Sequence, residues 1–187
     1  MNIFYLDPSP RRSVDFMSDK HIVKMVLESA QLLCTAHQIL DSKTHIDGVE
    51  LYKVAHKNHP SSIWVKSNKH HYNWLYEHFV ELSNEYTQRY KKTHTTYSKL
   101  SHVLSTPPKN IPQKKFELPP QCMPDQYKNK STVKAYLTYY ANEKLFNNGD
   151  KKRFARQLRK LKKDMEDDAW YYHRKPLLQF TKMIMTS

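Results

Sequence analysis

Apolar residues in the stretch 19–41 recur every three or four positions, at Ile22, Met25, Val26, Leu33, Ala36 and Leu40. That period lays a stripe along an α-helix. Ser18 or Asp19 stands where a helix cap is expected, just ahead of the first apolar residue. A longer stripe runs through Trp64, Tyr72, Leu75, Tyr76, Phe79, Leu82, Tyr86 and Tyr90. It predicts one long helix from Pro60 to Lys92 whose striped face packs into a core. Pro60 suits the first helical position, where its missing N–H costs nothing. Val133, Tyr136, Leu137, Tyr140 and Leu145 give a third periodic segment, with Ser131 as its cap. Beyond it, "DKKRFARQLRKLKKDMEDDAWYYHRK" reads as a basic helix that turns acidic and then aromatic.

The intervening segments read differently. "NIFYL" is a short strand or an extended arm, stopped by "DPSP". "DSKTHIDG" is a loop and "VELYKVAH" a short helix. Six prolines between Ser105 and Tyr127 exclude a regular helix there and predict a long extended segment that wraps the body. The expected fold is mostly α, one helical domain over 1–187. Within it lie a core over 1–104, a Pro-rich extended segment over 105–130 and C-terminal helices over 131–187. Only two glycines occur, which argues against phosphate-cradling glycine loops and against a sheet built on tight hairpins.

Charge changes the picture. The chain carries 31 Lys and Arg against 18 Asp and Glu, a formal net charge of +13. Such an excess repels itself when compact and points to a polyanionic partner. Nucleic acid is the first candidate, an anionic membrane surface the second, and simple solubility the third. No apolar run is long enough to span a bilayer, and no signal peptide opens the chain. Cys34 and Cys122 form neither a CxxC nor a disulfide framework, which fits a reducing cytosol.

Four groups of residues are candidates for chemistry. His21 and Glu28 lie seven positions apart, nearly two helical turns, with Lys24 between them on the same side. Their Cα atoms are separated by ~10.5 Å along the axis, so the side chains can bracket a substrate group. A solvated face with a Lys–Glu pair is the plainer alternative. Among eleven histidines, His56 and His59 cluster in "HKNHP" and His70 and His71 in "KHHY", but no HExxH or Cys/His zinc spacing is present, so no metal and no cofactor is expected. His59, just before Pro60, shapes a helix entry. In "AWYYHRK", the rings of Trp170, Tyr171 and Tyr172 alternate with Arg174 and Lys175, a pattern that suits base stacking with phosphate contact, or else a packed C-terminal segment. Finally, Arg153, Arg156, Arg159 and the neighbouring lysines surround the basic helix on all sides, either for phosphate contact or merely solvated.

The pattern "DKH…E", followed by "NHP…W" and a helix ending "EYTQRY", resembles the pyrimidine-dimer DNA glycosylase family, the bacteriophage endonuclease V-like enzymes. The resemblance covers residues 1–92 and, more faintly, "WYYHRK", and extends to a phage-encoded group of such proteins. It implies a small helical protein, a monomer, that binds double-stranded DNA at a damaged pyrimidine pair in the cytoplasm of a phage-infected bacterium. Family members flip a base, cut the glycosidic bond and then the strand by β-elimination. Carried onto this chain, Glu28 is the catalytic carboxylate, His21 the histidine at the DNA surface, and the α-amine of Met1, beside Asn2, the nucleophile. Lys20, Lys24, His56 and His59 join the basic and aromatic C-terminal residues in contacting DNA. The chain departs from the family's type member, which exposes threonine after losing its methionine; Asn2 here predicts that Met1 is retained. Leu27 replaces an arginine before the glutamate. Three functions stay open: a glycosylase with or without the lyase step on damaged or modified pyrimidines, a non-catalytic nucleic-acid-binding accessory protein, and an enzyme that modifies a flipped pyrimidine without excising it.

Overall fold

The chain enters as an extended arm rather than a strand. In the computed structural model, which describes residues 2–166 and their side chains through residue 163, Ile3, Phe4, Tyr5 and Leu6 are buried without joining a sheet. Ser13 closes the arm's backbone groups, its hydroxyl accepting from Leu6 N–H and donating to Phe4 O. Pro10 then opens a short helix that the sequence pattern did not predict, α1 (Pro10–Asp15).

Helix α2 (Asp19–Asp41) follows, and its predicted stripe is buried except for Leu40, which is partly exposed. Its capping differs from expectation. Ser18 holds the N-cap position but its side chain makes no cap bond; its hydroxyl contacts the Tyr140 hydroxyl at 3.3 Å. The cap comes from far along the chain, where the buried Asp150 carboxylate accepts from Asp19 N–H at 3.1 Å.

Two segments after α2 correct the pattern reading. Residues 45–50 form a small antiparallel hairpin, β1 (His45–Ile46) with β2 (Val49–Glu50). Asp47 and Gly48 both have positive φ, 48° and 76°, which is what a two-residue hairpin turn needs. The expected short helix at "VELYKVAH" does not form. Side chains of α2 take its backbone groups instead: Gln38 donates to Tyr52 O, and the Thr35 hydroxyl accepts from Ala55 N–H. The expected single helix after Pro60 is two, α3 (Pro60–Lys66) and α4 (Lys69–Tyr90). Asn68 breaks it. It is extended, with φ −161° and ψ 135°, and its side-chain oxygen caps α4 by accepting from His70 N–H. A short amide that competes for backbone groups favours such a break. Helix α5 (Thr95–Leu104) was also unforeseen, because its cap is His94 rather than one of the usual capping residues.

The Pro-rich segment has no regular structure beyond one 3-10 turn at Asp125–Tyr127, and it lies along the body as a strap. Asp41 accepts from the backbone of Lys109 and Asn110. Asn68 donates to Lys115 O, Trp64 to Glu117 O, and Glu117 N–H to His71 Nε2. Helix α6 (Thr132–Glu143) then returns under the predicted Ser131 cap, burying Tyr136, Leu137 and Tyr140.

Helix α7 (Asn148–Glu166) does not carry cations all round as the sequence reading held. Phe154, Leu158 and Leu161 form a buried face, and Phe154 lies parallel to Tyr140 at 6.1 Å. One apolar core thus draws on the arm, α2, α4, α6 and α7, and the architecture is mostly α, as expected.

Candidate functional site

The site is best built from the arm outward. Phe4 has a φ of 54°, a left-handed conformation unfavourable for a bulky side chain. Strain of this kind costs ~1–3 kcal/mol and persists only where neighbours fix it. Here Asn2 Oδ1 accepts from Phe4 N–H, while Phe4 O takes both the Ser13 hydroxyl and Leu6 N–H. The kink stacks the Phe4 ring on His21, with centroids 4.6 Å apart. Asn2 is itself tied down, donating to Cys122 O of the strap at 2.6 Å.

His21 is only 7% exposed and forms part of the wall of the site. Its Nδ1 lies 2.7 Å from the Tyr140 hydroxyl. Burial, then the nearby charges of Lys144, Lys24 and Lys20, push its pKa down to about 4. It is therefore neutral at pH 7 and contributes no positive charge. The Tyr140 oxygen accepts from Ser18 N–H, and the short contact fits donation of its proton to Nδ1, leaving His21 with an N–H at Nε2.

One turn and then two turns on, Lys24 and Glu28 share the same side of α2 and are ion-paired at 3.0 Å. The Lys24 side chain is 61% exposed, so the pair is worth ~0–1 kcal/mol and leaves the carboxylate free to exchange partners. The Glu28 side chain is 15% exposed. His59 comes from the entry of α3, where its Nδ1 accepts from Ser61 N–H and caps the helix.

These residues meet around a hollow of ≈ 320 Å³ that combines Asn2, His21, Lys24, Glu28 and His59 with Phe4, Met25, Cys122, Tyr139 and Lys144. Its size is at the lower end for small-ligand sites. The sequence pattern had singled out the first five of these. It missed Tyr139 and Lys144; the available signal was an aromatic residue off the buried stripe of an otherwise packed helix.

Other predicted contacts lie elsewhere. Lys20 sits over the ring of Phe146 at 4.7 Å, and that ring meets His21 edge-on. His56 is exposed in the turn before α3. Arg156 and Arg159 are exposed on α7, whereas Arg153 is engaged with Asp19 and Asp150. Burial raises the Asp19 pKa, but hydrogen bonds and charge from Arg153 and Arg89 outweigh this and hold it below the usual carboxylate range. Met1, Trp170, Tyr171, Tyr172, Arg174 and Lys175 lie outside the described residues. Among the described residues, no three His, Cys, Asp or Glu side chains converge as a metal site needs, and no helix is long and apolar enough to cross a membrane.

A helical body of net positive charge, with a lysine- and aromatic-walled hollow around one carboxylate, fits a protein that acts on a polyanion. Residues 1–98 match the family model described as pyrimidine dimer DNA glycosylase, and the chain belongs to that family. No curated protein and no solved structure matches it. Membership assigns glycosylase chemistry, with DNA as substrate, at the level of the family.

Proposed function

We propose that the protein excises damaged pyrimidines from double-stranded DNA as a monomer, with Glu28 as the catalytic carboxylate. The observation that carries this is the placement of Glu28, poorly exposed and weakly paired, in a hollow that Asn2 also lines. Met1 is bonded to Asn2, so its α-amine belongs to the same end of the chain. An α-amine has an ordinary pKa of ~7.7–8.0, so a useful fraction is neutral near pH 7. Attack on the sugar C1′ breaks the glycosidic bond as the C1′–N bond forms. The base leaves with the bonding pair and takes a proton, and loss of the amine's proton and ring opening give a Schiff base. Glu28 stabilises the cationic sugar and moves protons, an effect worth about 10²–10⁴-fold. The neutral His21 is a wall group and hydrogen-bond donor.

The expectation that Met1 is retained favours a second version of the same reading, in which Glu28 activates water and no covalent intermediate forms. Borohydride added to the protein on a duplex containing a pyrimidine dimer separates the two. The lyase route gives a covalent adduct that acetylation of the terminus abolishes; the water route gives base release without one. In both, Glu28→Gln slows base release by about 10²–10⁴-fold while duplex affinity stays the same or rises, because a negative charge is lost from the hollow. Base release by Glu28→Gln at the wild-type rate removes Glu28 from the reaction.

A further inference from the structure

The family match ends at residue 98, yet the hollow does not close there. Its far wall comes from later in the chain: Cys122 of the strap, Tyr139 near the end of α6 and Lys144 just beyond it. Tyr139 is partly buried, off the stripe that α6 commits to the core, with its ring tilted on Tyr127 at 5.3 Å. Lys144 places its ammonium 4.9 Å over that ring. Lys24 has Glu28 as its counter-ion, but Lys144 has no carboxylate partner among the described residues. Among the described residues the hollow therefore holds a cation without a carboxylate partner beside a half-buried aromatic ring that also stacks on Phe4, with centroids 6.5 Å apart. Unfavourable repulsion between Lys24, Lys144 and the nearby Lys20 is relieved when an anion enters. A ring with an adjacent ammonium is what a base and its phosphate require.

We propose that Tyr139 is a specificity-determining contact that stacks on the base held in the hollow, and that Lys144 is a binding contact that takes its phosphate. The part of the chain beyond the family match then selects the substrate. This rests on the hollow being the excision site.

The test measures duplex binding and base release for Tyr139→Ala, Tyr139→Phe, Lys144→Ala and Lys144→Arg, with Glu28→Gln as reference. The substrates are a duplex carrying a pyrimidine dimer and the same duplex carrying an abasic site. Tyr139→Ala is expected to weaken binding to the dimer duplex by roughly 5- to 150-fold, with little change on the abasic duplex, and Tyr139→Phe to retain wild-type behaviour. Lys144→Ala is expected to lower the log–log salt slope of binding by about 1, and Lys144→Arg to restore it. Merely structural roles change neither the dimer-to-abasic ratio nor the salt slope. An unchanged ratio in Tyr139→Ala, or an unchanged slope in Lys144→Ala, overturns the proposal. If instead Glu28→Gln releases base normally, the excision-site reading fails, while the binding measurements still decide the role of this wall.

Discussion

Asn2 is the residue on which the two ends of the candidate site depend. Its amide donates to Cys122 O and its oxygen accepts from Phe4 N–H, so it fixes both the arm and the strap. Asn2→Ala is expected to cost about 1 kcal/mol, seen as a fall in Tm of about 2–4 °C, and to slow borohydride trapping more than that small loss explains. Histidines set the acid limit of the fold. Burial lowers the pKa of His21 and His37 to about 4 and that of His78 to about 3, from an ordinary 6.5. The unfolded chain therefore binds more protons than the native one between these values. Stability is full above pH 6.5 and falls as the pH drops toward 4, by about 1.4 kcal/mol per pH unit for each such group. Thermal melts from pH 7.5 to 4.5 check the sign. His78 is fully buried with neither ring nitrogen hydrogen-bonded, and His78→Leu is expected to flatten the decline. At this scale Glu28, His21 and His59 were legible because their spacing and chemistry stood out against a helical stripe. The burial of His21 was not, since it depends on Phe4 and Tyr140, which are distant in sequence from each other.

Among the elements, the strap shows how an irregular segment is held without a ladder. His71 donates from Nδ1 to Trp64 O and accepts at Nε2 from Glu117 N–H, so its neutral form satisfies both nitrogens. Protonation puts a hydrogen on Nε2 facing another donor. Burial already lowers the His71 pKa, which protects this contact near neutrality. His71→Leu is expected to speed amide exchange at Glu117 and Lys69, whose N–H groups bond to His71 and to Pro112 O, while the amides of α2 keep their protection. Hydrogen-exchange mass spectrometry distinguishes the two regions. The helical periods of α2, α4 and α6 were plain in the sequence because each buries one face. The break at Asn68 was hidden, since the aromatic stripe continues across it and the Asn68 amide is held there by the strap at Lys114 and Lys115 as well as by its cap on α4. The hairpin was hidden by its brevity: two residues per strand give no alternation to read.

At the scale of the whole molecule, the family-matched half is tied to the rest of the chain. Tyr140 bonds to Ser18 and contacts His21, Asp150 caps α2, and Arg153 joins Asp19. Ala135, Tyr136, Leu137, Phe154 and Leu158 belong to the same apolar core as the arm. A chain cut after residue 104 therefore loses the cap of its principal helix and exposes part of its core. It is expected to show reduced helicity and no cooperative melt by circular dichroism. The completion of the hollow by Tyr139 and Lys144 carries a consequence for synthesis. On the ribosome, the carboxylate-bearing end emerges first but stays open on one side until some 46 residues past the family boundary have followed. On the proposed reading, nascent and prematurely terminated chains display the acidic group before they possess the surface that admits the right nucleotide.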